Sequence, residues 1–118
     1  MKSVLYIHRK APYSSMATRE EIDAVLATAA FGVETALLFL DDGIFQILGN
    51  QQPESAQLKR TAPMFEALAM YDVDTLFVCQ QSLQLRGLTP QDLLVPVTVL
   101  DSEGIQRLFA HYDHILTF

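Results

Sequence analysis

Residues 35–40 (Thr-Ala-Leu-Leu-Phe-Leu) restrict the fold more than any other part of the chain. Side chains alternate between the two faces of an extended backbone, so a continuously apolar run puts apolar atoms on both faces at once. Such a strand is stable only when it is covered from both sides, as in sheets with helices above and below. Asp41-Asp42-Gly43 closes the run with residues suited to a turn. Four more short runs share its character: residues 3–8, 75–79, 94–99 and 112–118. Pro96 lies inside residues 94–99, and a residue without a backbone N–H belongs at a sheet edge.

The segments between these runs carry helical signals. Ile22, Val25, Leu26, Ala29 and Ala30 fall at helical spacing and form one apolar face. Thr18-Arg19-Glu20-Glu21 has capping-box spacing, Ser14 or Ser15 would cap a longer version, and Gly32 is placed to end the helix. Residues 44–48 suggest a helical turn, and 49–53 a polar exposed loop. Met64, Leu68 and Tyr71, with Phe65 alongside, suggest a helix over 61–71. Residues 80–86 form the next helix, stopped by Gly87, and Asp101 and Ser102 start the last, through Ile105, Leu108 and Phe109. Strand and helix therefore alternate about five times, which predicts an α/β class, a mostly parallel sheet of about five strands and right-handed crossovers. A chain of 118 residues fits one domain, 1–118.

Eight basic and fourteen acidic residues give a net charge of −6, which disfavours direct contact with phosphate backbones. A single cysteine, Cys79, excludes an intrachain disulfide. The apolar run near Met1 is too short for a signal peptide, and no run approaches the length of a bilayer span. The expected protein is soluble and cytoplasmic, without membrane or direct nucleic-acid contact.

Cys79 is the main candidate for chemistry. It closes an apolar strand directly before a helix, at the carboxyl end of the sheet, where open α/β folds place ligands. A helix N-terminus also favours the thiolate that attacks or carries sulfur. The alternative is a cysteine that only packs. Asp41 and Asp42 lie at the same edge and read first as turn residues, second as an acid–base or metal pair. His8 ends the first strand and reads as a rim residue near a pocket. His111 and His114 have a helical metal-ligand spacing, but the chain passes from helix to strand between them, so no metal site is expected. The five glycines make no phosphate-binding motif, and no cofactor is expected; residues 12–18 offer only a weak anion site.

Several segments in order resemble one family. Ala11-Pro12 followed by Arg19-Glu20-Glu21-Ile22-Asp23-Ala24-Val25-Leu26-Ala27 is similar to A-P…R-E-x-L-D-A-L-L-A. Asp42-Gly43-Ile44-Phe45-Gln46-Ile47-Leu48 resembles D-G-V-F-Q-L-L, and Gln52-Pro53 follows as in related chains. Leu68-Ala69-Met70-Tyr71-Asp72-Val73 resembles L-x-x-Y-D-[IV]. Val78-Cys79-Gln80-Gln81-Ser82-Leu83 with Arg86-Gly87-Leu88 resembles V-C-x-x-S-L-x-x-R-G-L, and Tyr112-Asp113-His114-Ile115-Leu116-Thr117-Phe118 resembles Y-D-x-I-L-x-F. These are patterns of the TusC/DsrF family of the DsrE-like sulfurtransferase superfamily. The resemblance implies a flavodoxin-like three-layer α/β/α sandwich. It also implies a subunit of a TusBCD-type heterohexamer that takes persulfide sulfur from TusA and passes it to TusE for tRNA wobble 2-thiouridine, or a DsrF-like role in dissimilatory sulfur oxidation. TusB and TusD homologues are then the direct partners. In that complex the sulfur-carrying cysteine belongs to the TusD/DsrE subunit; Cys79 falls at the equivalent place in a chain of the supporting type. Residues 49–53 and the terminal strand are the expected contact regions.

Overall fold

The computed structural model describes residues 2–9, 15–48, 68, 70, 73, 75–93 and 95–117, the side chains of 15–19 excepted. Among them, five strands form one parallel sheet: β1 (Ser3–His8), β2 (Glu34–Phe39), β3 (Leu76–Cys79), β4 (Thr98–Leu100) and β5 (His114–Thr117). Their order is β4-β3-β2-β1-β5. The continuously apolar strand β2 lies between β1 and β3, with Leu5 paired to Ala36 and Leu38 to Phe77. Residues Ala36, Leu37, Leu38 and Phe39 are all fully buried. The expected α/β class and parallel sheet are those observed, in flavodoxin's layering but with a strand order of this fold's own rather than 2-1-3-4-5.

Strand order explains the two unequal layers. The chain steps from β1 through β4 in one direction, then returns past β1 to place β5. Crossovers of a single hand put the connections of the outward march on one face and the return connection on the other. Accordingly, helix α1 (Ser15–Ala30), the 3₁₀ helix Asp41–Ile47 and helix α2 (Gln80–Leu85) cover one face. There Val4, Tyr6, Leu37, Phe39, Leu76 and Val78 meet Ile22, Val25, Ile44, Ile47 and Leu83. Helix α3 (Ser102–His111) covers the other, where Leu108 and Tyr112 pack on Leu5, Ile7, Ala36 and Leu38. Burying a side chain of this size contributes about 1.5–3 kcal/mol, so the doubly covered β1 and β2 anchor the domain.

Several boundaries differ from the sequence reading for local reasons. Helix α1 begins at Ser15, so Thr18 lies inside it rather than capping it, and Glu21 is engaged elsewhere. Gly32 ends the helix at φ +75°, a backbone state that glycine adopts without penalty. The 3₁₀ helix starts at Asp41, earlier than the turn read from 44–48. Strand β4 spans only Thr98–Leu100 instead of 94–99, because Pro96 has no N–H to donate and restricts Val95 before it. It is an edge strand, as Pro96 implied. A further 3₁₀ turn, Pro90–Asp92, was not anticipated; the Asp92 carboxylate accepts the Thr89 N–H at 2.8 Å. The loop at 49–53 lies outside the described residues, and so does the helix at 61–71 apart from buried Leu68 and exposed Met70.

Strand β5 is tied to β1 by side chains as well as by the ladder. The Asp113 carboxylate accepts the Ser3 N–H at 3.0 Å and the Ser3 hydroxyl at 3.3 Å, and that hydroxyl accepts the Asp113 N–H at 3.1 Å. Val4 then pairs with His114, and Leu5 with Ile115. Aspartate just before this strand therefore sets its register.

Candidate functional site

Cys79 ends β3 and is the N-cap residue of α2, with φ −81° and ψ 122°. Its side chain is half-buried. Alternation along β3 puts Cys79 on the same face as Phe77, which packs in the α3-side core. Its register partner Leu100 is followed at once by Asp101, the N-cap of α3, whose carboxylate accepts the Gly104 N–H at 2.8 Å. Cys79 thus sits where α2 and α3 both begin. Helix α2 is only six residues long, so few peptide dipoles align behind the thiol. Of two neighbouring strands, β3 runs on into α2 on one face of the sheet and β4 into α3 on the other. The crevice that open α/β sheets use for ligands therefore opens between β3 and β4, beside Cys79.

His8 is a correction to the sequence reading. It is a fully buried core residue, not a rim residue. Its Nδ1 lies 2.9 Å from the Glu21 carboxylate, and its ring stacks on Phe39 with centroids 5.1 Å apart. Alternation along β1 puts it with Val4 and Tyr6 on the α1 side, the face opposite Cys79. The structure does not bring these two groups together.

The two aspartates diverge. Asp41 has φ +51°, a conformation that aspartate tolerates better than most residues. It donates its N–H to the Ser82 hydroxyl at 3.0 Å, and its carboxylate accepts from the Arg9 guanidinium at 3.0 Å. Asp42 faces Arg86, whose Nε and Nη2 both reach one carboxylate oxygen, at 3.2 and 2.9 Å. Arg86 Nη1 also donates to the Ser82 carbonyl at 3.1 Å, and the guanidinium lies 6.0 Å from the Phe45 ring centroid. The carboxylates clamp loops rather than converge, so the turn reading of Asp41 and Asp42 is the one that stands. Ser82 and Arg86 were missed as partners of Asp41 and Asp42. Their i, i+4 spacing, which puts both on one helix face, was the available signal.

Gly43 explains why this turn holds its shape. A Cβ there would lie 1.9 Å from the His8 carbonyl oxygen and 2.5 Å from its carbon. That carbonyl also accepts the Leu40 N–H at 3.0 Å. The end of β1 and the start of the 3₁₀ helix thus approach closer than any side chain permits.

His111 ends α3 and His114 opens β5, with Tyr112 and Asp113 turning the chain between them. Among the described residues no group of three or more His, Cys, Asp or Glu is placed to hold a metal ion. No helix of the described residues is long and apolar enough to cross a membrane. Burial, and secondly the negative charge of Glu34, push the Tyr112 pKa above its usual 10.0. The anion site read at 12–18 lies outside the described side chains.

Residues 2–118 match the profile of the DsrE/DsrF-like family. The chain is 41% identical over 118 residues to a TusC homolog of Vibrio vulnificus, with both chains covered in full. It is 38% identical over 119 residues to the TusC proteins of Shigella flexneri and Escherichia coli, again over the whole of each. The chain belongs to the TusC branch of the DsrE/DsrF-like family. The fold of this TusC-family chain is shared more widely. The ychN protein of E. coli superposes with a TM-score of 0.81 over 100% of both chains at 20% identity. A Methanobacterium thermoautotrophicum protein of unknown function, MTH1491, superposes with a TM-score of 0.69 over 98% of this chain and 97% of its own, at 17% identity. In the TusC-family chain, the segments that carry the resemblance have structural work to do. Gly43 makes the close approach, Asp42 and Arg86 clamp, Gly87 ends α2 at φ +66°, and Asp113 fixes β5.

Proposed function

We propose that this TusC-family chain is a supporting subunit of a cytoplasmic sulfur relay of the TusBCD type, acting as one domain over 1–118. Its direct partners are TusB and TusD homologues; TusA delivers persulfide sulfur and TusE receives it, for 2-thiouridine at tRNA wobble positions. The observation that carries this reading is similarity to TusC proteins along the full length of both chains. Two features of the molecule support the supporting role. The motif residues near Cys79 are engaged in holding loops together, and His8, which the sequence placed near a pocket, faces the other side of the sheet. Large apolar side chains also stand in solvent, Phe31 at 86% and Leu85 at 75% exposure, as suits a chain that associates with others.

The test is co-expression with the TusB and TusD homologues from the same genome. Recovery of all three at equal stoichiometry supports the reading; a monodisperse chain that ignores both partners overturns it. A second reading makes Cys79 a sulfur carrier, favoured by its half-buried position at the carboxyl end of β3. The Cys79 thiolate would attack the outer sulfur of a donor persulfide, the donor thiol leaving as thiolate. Intact-mass measurement after exposure to such a donor reads this directly as the addition of one sulfur atom, and an unmodified chain rejects it.

A further inference from the structure

We draw no further inference here: the strongest candidate, the apolar rim made by Phe109 of α3 with Ile115 and Leu116 of the edge strand β5, is an exposed surface with nothing in the structure to show what covers it.

Discussion

Replacing Gly43 with alanine tests the packing at the carboxyl end of β1. The new methyl would sit 1.9 Å from the His8 carbonyl oxygen, and real contacts of this kind are not found under 3.0 Å, so the backbones must part by 1.1 Å. Neither neighbour is a flexible side-chain tip; the obstacles are the His8 carbonyl and the Arg9 N. The same His8 carbonyl accepts the Leu40 N–H, and the Gly43 N–H donates to the Leu40 carbonyl at 2.8 Å. Parting these segments strains or breaks that pair of bonds. Overpacking costs about 1–3 kcal/mol, and leaving a buried backbone group without its partner about 1–3 kcal/mol more. A loss of about 2–6 kcal/mol follows, a large share of the roughly 5–15 kcal/mol that holds such a domain together. At about 4 °C per kcal/mol for a chain of this size, the midpoint falls by about 8–24 °C. The control is Gly87→Ala, where φ is +66° and nothing lies within 4 Å. That change costs only the left-handed penalty of about 1–2 kcal/mol. Thermal unfolding followed by circular dichroism compares the two. If Gly43→Ala melts within a few degrees of the parent, or above Gly87→Ala, the close-approach argument is refuted.

Other expectations test separate contacts. Arg86→Lys loses the two-pronged contact with Asp42 and the bond to the Ser82 carbonyl. Because Asp42 is 58% exposed, a double-mutant cycle with Asp42→Asn should give a coupling of at most about 1 kcal/mol, and a coupling near zero would show that the clamp is ornamental. Asp113→Ala removes the bonds to Ser3 and should cost about 1 kcal/mol, with β5 amides losing hydrogen-exchange protection before those of β2. Uniform loss across the sheet would contradict that assignment. Tyr112 binds its proton more tightly in the folded chain than its usual 10.0 implies. Its contribution is thus complete below pH 10.0 and declines as pH rises through the higher folded value. Tyr112→Phe should flatten the fall in urea midpoint above that pH, and an unchanged fall would assign it to other groups.

Most of the fold was legible because burial imposes a pattern on residues 35–40 that few architectures satisfy. Gly32 and Gly87 announced two helix ends, and both occupy left-handed backbone. Boundaries near competing signals were harder. Thr18, Ser14 and Ser15 all offered caps to one helix, and the start at Ser15 rules out Thr18. Glu21 looked like half of a capping box but reaches across to His8, a pairing 13 residues apart that no local pattern reveals. The face on which His8 lies depends on strand register and on which helices cover it, both set by the whole topology. Gly43 was visible as a turn glycine, yet its reason is proximity to β1, not its own φ. Around Cys79, sequence placed the strand end and the helix start correctly. The strand order, which sets β4 beside β3 and so opens the crevice at Cys79, is not encoded in any single segment.

The measurement that bears most directly on the supporting-subunit reading is wobble 2-thiouridine in tRNA from three strains: parent, gene deletion and Cys79→Ser. The reading expects deletion to abolish the modification and the serine variant to keep it near the parental level. Loss in the serine strain, with the complex still assembled, would make Cys79 a sulfur carrier and contradict the supporting role. Survival of the modification after deletion would remove this chain from the tRNA relay altogether.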